Sequence, residues 1–227
     1  DVSLSIRPGA RHALIGPNGA GKTTLINLLT GALTANSGQI LLGGEDITHL
    51  PAHSRVGRGL SRTFQINQLF GDFTPLDSMM LAIGERKGHG WRAWRALAAD
   101  REVADEAAQL LERFRLADAM GTSTTLLPYG KQRLLEIALA IATRPKVLLL
   151  DEPAAGVPEE ERHEVLSIVR ELPPDVTVVL IEHDMDLVFS FADRISVLAA
   201  GSLFAEGTVE EISKDRQVKA IYLGEDA

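Results

Sequence analysis

Gly16-Pro17-Asn18-Gly19-Ala20-Gly21-Lys22-Thr23 is the stretch whose reading decides the fold. It fits the pattern G-x-x-x-x-G-K-[ST] and stands between an apolar run, His12 to Ile15, and a helix-like segment, Lys22 to Thr30. Glycines let a backbone curl until its N–H groups face phosphate oxygens at the positive end of the following helix. Lys22 supplies a point charge for β- and γ-phosphates, and the hydroxyl of Thr23 can ligate Mg²⁺. An ordinary glycine turn is the bland alternative. The strand before and the helix after argue against it.

Outward from the loop, Leu25, Ile26, Leu28 and Leu29 suit a helix packed on a core, and Gly31 is placed to end it. Upstream, Val2, Leu4 and Ile6 alternate with polar neighbours, the period of a half-buried strand, and Arg7-Pro8-Gly9 reads as a turn. Gln39 to Leu42 reads as another strand, with Gly43-Gly44 as its turn. From Leu76 to Leu116 the texture is helical: Val103, Ala107, Leu110, Leu111 and Phe114 recur at helical spacing. Lys131 to Thr143 is a further helix, stopped by Arg144-Pro145. Val147–Leu150 and Thr177–Ile181 are apolar strands, and Pro158 with Glu159-Glu160-Glu161 marks the first turn of a helix between them.

Strands alternating with helices predict an α/β fold: a mostly parallel sheet covered on both faces, with an antiparallel β element near the N-terminus. The expected organisation is a single domain over 1–227. Residues 1–75 and 145–227 form its α/β core, and a helical subdomain is inserted over about 76–144.

Val147-Leu148-Leu149-Leu150-Asp151-Glu152 is an apolar strand ending in two acids. Ligands of α/β sheets bind beyond the carboxyl ends of strands, so Asp151 faces the phosphate loop and supports Mg²⁺. Glu152 can accept a proton from an attacking water. Ile181-Glu182-His183-Asp184 closes the next strand, which puts His183 where a γ-phosphate could be contacted. Gln65, after the apolar Phe64, could complete the metal shell or position water. Each of these residues alone has a structural alternative, a cap for the acids or a packed imidazole.

Composition narrows the partners. The 23 Lys and Arg against 31 Asp and Glu leave a net charge of −8, a poor footprint for a nucleic-acid binder. Without cysteine, thiolate metal sites, disulfides and cysteine nucleophiles are excluded. No apolar run approaches the ~20 residues of a membrane span, and Asp1 to Ile6 shows no secretion signal. The expectation is a cytoplasmic protein that reaches a membrane only through a partner.

Taken in order, the phosphate loop, Gln65, Leu127-Pro128-Tyr129-Gly130-Lys131-Gln132, Asp151-Glu152 and His183 resemble an ATP-binding cassette (ABC) ATPase along essentially the whole chain. Arg62-Thr63-Phe64-Gln65, Tyr129-Gly130, Asp151-Glu152-Pro153-Ala154-Ala155-Gly156, Ile181-Glu182-His183-Asp184-Met185 and Ile221-Tyr222-Leu223-Gly224-Glu225 look most like ATP-binding subunits of branched-chain amino-acid importers. Urea importers and a lipopolysaccharide-export ATPase share much of this wording. A nucleotide-gated regulatory module with little turnover is the remaining alternative.

The resemblance implies a dimer of such subunits, with itself or a paralogue, that sandwiches two ATP molecules with Mg²⁺. Gly16, Pro17, Asn18, Gly19, Ala20, Gly21, Lys22, Thr23 and Thr24 hold the phosphates; Thr23, Gln65 and Asp151 serve the metal; Glu152 polarises water, and His183 steadies the γ-phosphate. Tyr129, Gly130, Lys131 and Gln132 close over the partner's nucleotide. Transmembrane permease subunits at the cytoplasmic face of the plasma membrane, and indirectly a solute-binding protein, complete the implied assembly. Two departures stand out: Pro128 where the family has serine, and Pro158 where it usually has aspartate. The family usually places an adenine-stacking aromatic further upstream of the phosphate loop than the residues before Gly16 reach, so that platform is either absent or lies outside these residues. Arg86 to Arg95, with Trp91 and Trp94 among basic residues, reads as a surface loop or a membrane-proximal contact.

Overall fold

The computed structural model describes residues 1–63, 69–88 and 100–223, with Tyr222 and Leu223 described by backbone alone. Gln65 and the segment holding Trp91 and Trp94 lie outside the described residues. In chain order the elements are β1 (Arg11–Ile15), α1 (Lys22–Thr30), β2 (Leu41–Leu42), β3 (Glu45–Asp46), α2 (Ala52–Val56), β4 (Leu60–Arg62), α3 (Pro75–Arg86) and α4 (Arg101–Arg113). There follow α5 (Tyr129–Ala142), β5 (Val147–Asp151), α6 (Glu159–Arg170), β6 (Thr177–Ile181), α7 (Met185–Phe191), β7 (Arg194–Ala199), β8 (Ser202–Thr208), α8 (Val209–Lys214) and α9 (Arg216–Leu223). They fall into two compact units. One comprises Asp1–Arg62, Lys146–Pro153 and Leu172–Ala227, the other Thr63–Pro145 and Ala154–Glu171.

The first unit is built on a six-stranded sheet of order β4-β5-β6-β1-β7-β8. Its pairings are parallel except for the β7–β8 hairpin. β1, β5 and β6 are buried along almost their whole length without alternation, and β5 and β6 are mainly apolar, as a covered parallel sheet requires. Leu14 pairs with Ile181, and Ile181 with Asp151, so these strands end in step along one edge. Beside this sheet β2 and β3 form a two-residue antiparallel pair, shorter than the strand expected over Gln39–Leu42. The strand expected at Val2–Ile6 does not form. Val2, Leu4 and Ile6 keep the expected alternation of burial, and Val2 and Ile6 pack on the core of Leu14, Ile26, Val179 and Leu198.

Two buried arginines fasten this unit. Arg11 donates to the carbonyls of Val176 at 2.7 Å and Leu172 at 2.5 Å, fixing the turn that leads into β6. Arg55, only 2% exposed, donates to the carbonyls of Leu28 and Leu29 at 2.6 Å each, Thr48 at 2.8 Å and Leu50 at 2.9 Å. The first two lie in the last turn of α1, where Leu28 also accepts from the Gly31 amide, so this cation helps cap the helix from outside.

The second unit is helical. Thr74 and Asp77 make a reciprocal capping box that starts α3, with Pro75 in its first turn. The expected helical stretch over Leu76–Leu116 comprises α3 and α4, with 89–99 between them outside the described residues. Arg86 grips both carboxylate oxygens of Glu106 at 2.7 and 2.8 Å and the carbonyl of Ala142, while Arg144 reaches Glu106 at 2.9 Å. That network joins α3, α4 and the C-terminal end of α5. As expected from its proline and acidic run, α6 opens on Pro158 followed by three glutamates.

Candidate nucleotide site

The phosphate loop leaves β1 at its carboxyl end and enters α1 at Lys22. Gly16 leaves no room for a side chain: a Cβ there would stand 2.4 Å from the carbonyl oxygen of Leu198. Gly19 and Gly21 adopt φ of 79° and 98°, left-handed values that strain any L side chain. Ala20 is buried beneath the loop and accepts a bond from the Gly201 amide at 3.0 Å. Thr23 and Thr24 are exposed on the first turn of α1, which begins without a side-chain cap. Lys22 folds back over the loop, its Nζ donating to the carbonyls of Gly16 at 2.5 Å and Pro17 at 3.2 Å. Burial pushes its ammonium below the ordinary lysine value, against the opposing pull of the Glu152 and Asp151 carboxylates. The structure therefore brings Lys22 and the acidic pair into one electrostatic neighbourhood.

Asp151 ends β5, is 4% exposed, and accepts from Arg62 at 2.7 Å. Glu152 sits just past the strand at φ 47°, a left-handed backbone uncommon for glutamate. Its amide donates to the carbonyl of Ile181 at 2.9 Å, which locks the residue to the end of β6. From that end comes His183, whose Nδ1 lies 3.9 Å from Oε1 of Glu152 and 3.9 Å from Oε2 of the buried Glu182. Lys22, Asp151, Glu152 and His183 thus converge at the carboxyl ends of β1, β5 and β6. Sequence reasoning missed three features here: the left-handed turn at Glu152, the burial of Glu182 beside His183, and the grip of Arg62 on Asp151. None of the three is reported by a local pattern in the sequence.

In the second unit, Pro128 is the N-cap of α5 and makes no side-chain cap bond. The Tyr129 ring lies against Gly156, where an added Cβ would meet it at 3.0 to 3.3 Å. Gly130 is hemmed by Glu161, whose Oε2 stands 2.1 Å from where a Cβ would be. Lys131 is paired with Asp118 at 2.5 Å, and Gln132 donates to the carbonyl of Leu127 at 2.9 Å.

Residues 1–155 match the ABC transporter family. The chain belongs to that family. ATP hydrolysis coupled to transport is the family's function. Residues 202–227 further match the C-terminal family described as branched-chain amino acid ATP-binding cassette transporter. This ABC chain is 40% identical to the high-affinity branched-chain amino acid transport ATP-binding protein BraF of Pseudomonas aeruginosa, over 99% of this chain and 91% of that one. It is 39% identical to LivG of Escherichia coli, which carries the same description, over the same shares. The lipopolysaccharide export system ATP-binding protein LptB of Haemophilus influenzae is 34% identical over 99% and 90%. Among solved structures, a nucleotide-free ATP-binding cassette from an ABC transporter superposes with a TM-score of 0.83 at 32% identity, covering 99% of this chain and 92% of that one. Another, in its ADP conformation, gives 0.82 at 33% identity, covering 98% and 91%. Among the described residues no helix is long and apolar enough to cross a membrane.

Proposed function

We propose that this chain is the ATP-hydrolysing subunit of a transporter that takes up branched-chain amino acids. The observation that carries the reading is the convergence of Lys22, Asp151, Glu152 and His183 beyond the ends of three adjacent strands. Gly16 to Thr24 wrap the phosphates, with the Lys22 ammonium on the β- and γ-groups. Glu152 accepts the proton of the water whose oxygen attacks the γ-phosphorus, and His183 holds both Glu152 and the γ-phosphate. The donors near the loop suit Mg²⁺. Thr23 and Asp151 are hard oxygen ligands, and Mg²⁺ takes one or two carboxylates and fills its shell with phosphates and water. Gln65 is the third residue assigned to it. When bound, Mg²⁺ neutralises charge on the β- and γ-phosphate oxygens.

Tyr129, Gly130, Lys131 and Gln132 serve the nucleotide of a second cassette subunit. Residues 1–75 and 145–227 act as the hydrolytic core and about 76–144 as the helical subdomain that moves permease subunits at the cytoplasmic face, fed by a solute-binding protein. The match over 202–227 favours amino-acid uptake over lipopolysaccharide export, although LptB is also a relative. The test is to purify the chain with its permease subunits in vesicles and follow ATP-driven leucine uptake. Uptake that Lys22→Ala abolishes is expected. ATP hydrolysis without any branched-chain uptake, in vesicles that move another solute, refutes the substrate assignment.

A further inference from the structure

Arg62 is the last residue of β4, and its side chain is only 16% exposed. Nη2 donates to Oδ2 of Asp151 at 2.7 Å, and Nη1 donates to Oδ1 of Asn27 at 2.9 Å. Asn27 lies on α1, the helix that starts at Lys22, whereas Asp151 ends β5. One planar guanidinium therefore ties three things together: the helix behind the phosphate loop, the acid-bearing strand end, and the strand that leads towards Gln65. A rigid fork holds a carboxylate in one plane, which a flexible ammonium does not. With Oδ2 held, the direction of the other oxygen of Asp151 is set.

We propose that Arg62 is a positioning residue that aims the Asp151 carboxylate at the divalent cation accompanying the nucleotide. The proposal rests on the reading of Asp151 as the carboxylate that supports that cation. Two physical effects oppose each other. The fork orients the ligand, and outer partners of metal ligands govern metal affinity by about 10- to 100-fold. The positive charge of the guanidinium, on the other hand, repels a cation at short range. Because Asp151 is almost wholly buried and cannot be reoriented by water, orientation wins.

The experiment is calorimetric titration of the full chain with ATP, once in EDTA and once in excess Mg²⁺. The quantity read is the ratio of the affinity in Mg²⁺ to that in EDTA. Arg62→Met should lower that ratio about 10-fold or more, with Arg62→Lys and Asn27→Ala lowering it less, while affinity in EDTA stays within about twofold of wild type. A merely structural role would depress both affinities together and leave the ratio alone. Should Arg62→Met fail to fold in a melting check, Arg62→Lys and Asn27→Ala carry the test. An unchanged or increased ratio in the folded variants overturns the proposal. Asp151→Asn separates the two levels. A wild-type ratio in that variant refutes the reading of Asp151 itself, while a collapsed ratio there with unchanged Arg62 variants refutes only the role of Arg62.

Discussion

Replacing Glu152 with glycine and with glutamine should separate its chemistry from its backbone. The residue sits at φ 47°, where an L side chain costs about 1–2 kcal/mol. Its amide bond to Ile181 at 2.9 Å belongs to the main chain and survives either change. Glycine removes the strain but loosens the unfolded chain by about 0.5–1 kcal/mol. The net for Glu152→Gly is a gain of about 0–1.5 kcal/mol, or about 0–6 °C in melting temperature for a chain of this size. Glu152→Gln keeps the strain and most of the packing of a half-buried side chain, so its stability should stay at the wild-type level. In contrast, turnover should fall by about 10²–10⁴-fold in both, because neither side chain accepts the proton from water. Urea denaturation and a coupled phosphate-release assay on the same preparations read both quantities. A glycine variant less stable than wild type by more than about 1 kcal/mol would falsify the strain argument. Wild-type turnover in the glutamine variant would remove Glu152 from its role as base.

Arg55→Met leaves the carbonyls of Leu28, Leu29, Thr48 and Leu50 without their cation and should cost about 1–3 kcal/mol by urea denaturation; a loss under about 0.5 kcal/mol would show that water or the backbone takes over the cap. Arg86, with Arg144, holds the Glu106 carboxyl below the ordinary glutamate range. Its contribution is therefore complete above the unfolded value and drains away as pH falls through the lower folded one. Glu106→Gln should thus cost about 1–2 kcal/mol near neutrality and nothing in acid; a gap to wild type that persists in acid contradicts this. Pro128→Ser supplies the cap side chain that α5 lacks and a hydroxyl for a partner's nucleotide, and ATPase in the assembled transporter should rise several-fold. No rise would mean that the backbone at Tyr129 and Gly130 suffices.

Much of this was legible because parallel-sheet chemistry is written in contiguous runs. The loop, the acids of β5 and the histidine after β6 each follow an apolar run, and strand ends are where such sheets gather ligands. What stayed hidden depends on contacts between residues distant in sequence. Arg62 and Asp151 are 89 positions apart, and no local period reports their bond. Nothing around Arg55 in the sequence marks it out, although its guanidinium is buried among carbonyls from two separate stretches, the end of α1 and Thr48 to Leu50. The Val2–Ile6 period correctly marked a half-buried face, but alternation describes side chains and cannot supply the neighbouring strand that a ladder needs.

The in-step ending of β5 and β6 bears on which length changes the gene can accept. Asp151 pairs with Ile181, and the next amide, that of Glu152, closes onto Ile181 as well. Deleting one codon from either strand would retract its tip by about 3.3 Å and turn every downstream side chain to the opposite face. Glu152 and His183 would then miss each other although both residues remained in the sequence. Insertions between helices carry no such penalty. Among descendants of this gene, variation in length should therefore accumulate in the helical connections, while the spacing from Val147 to Glu152 and from Thr177 to His183 stays frozen.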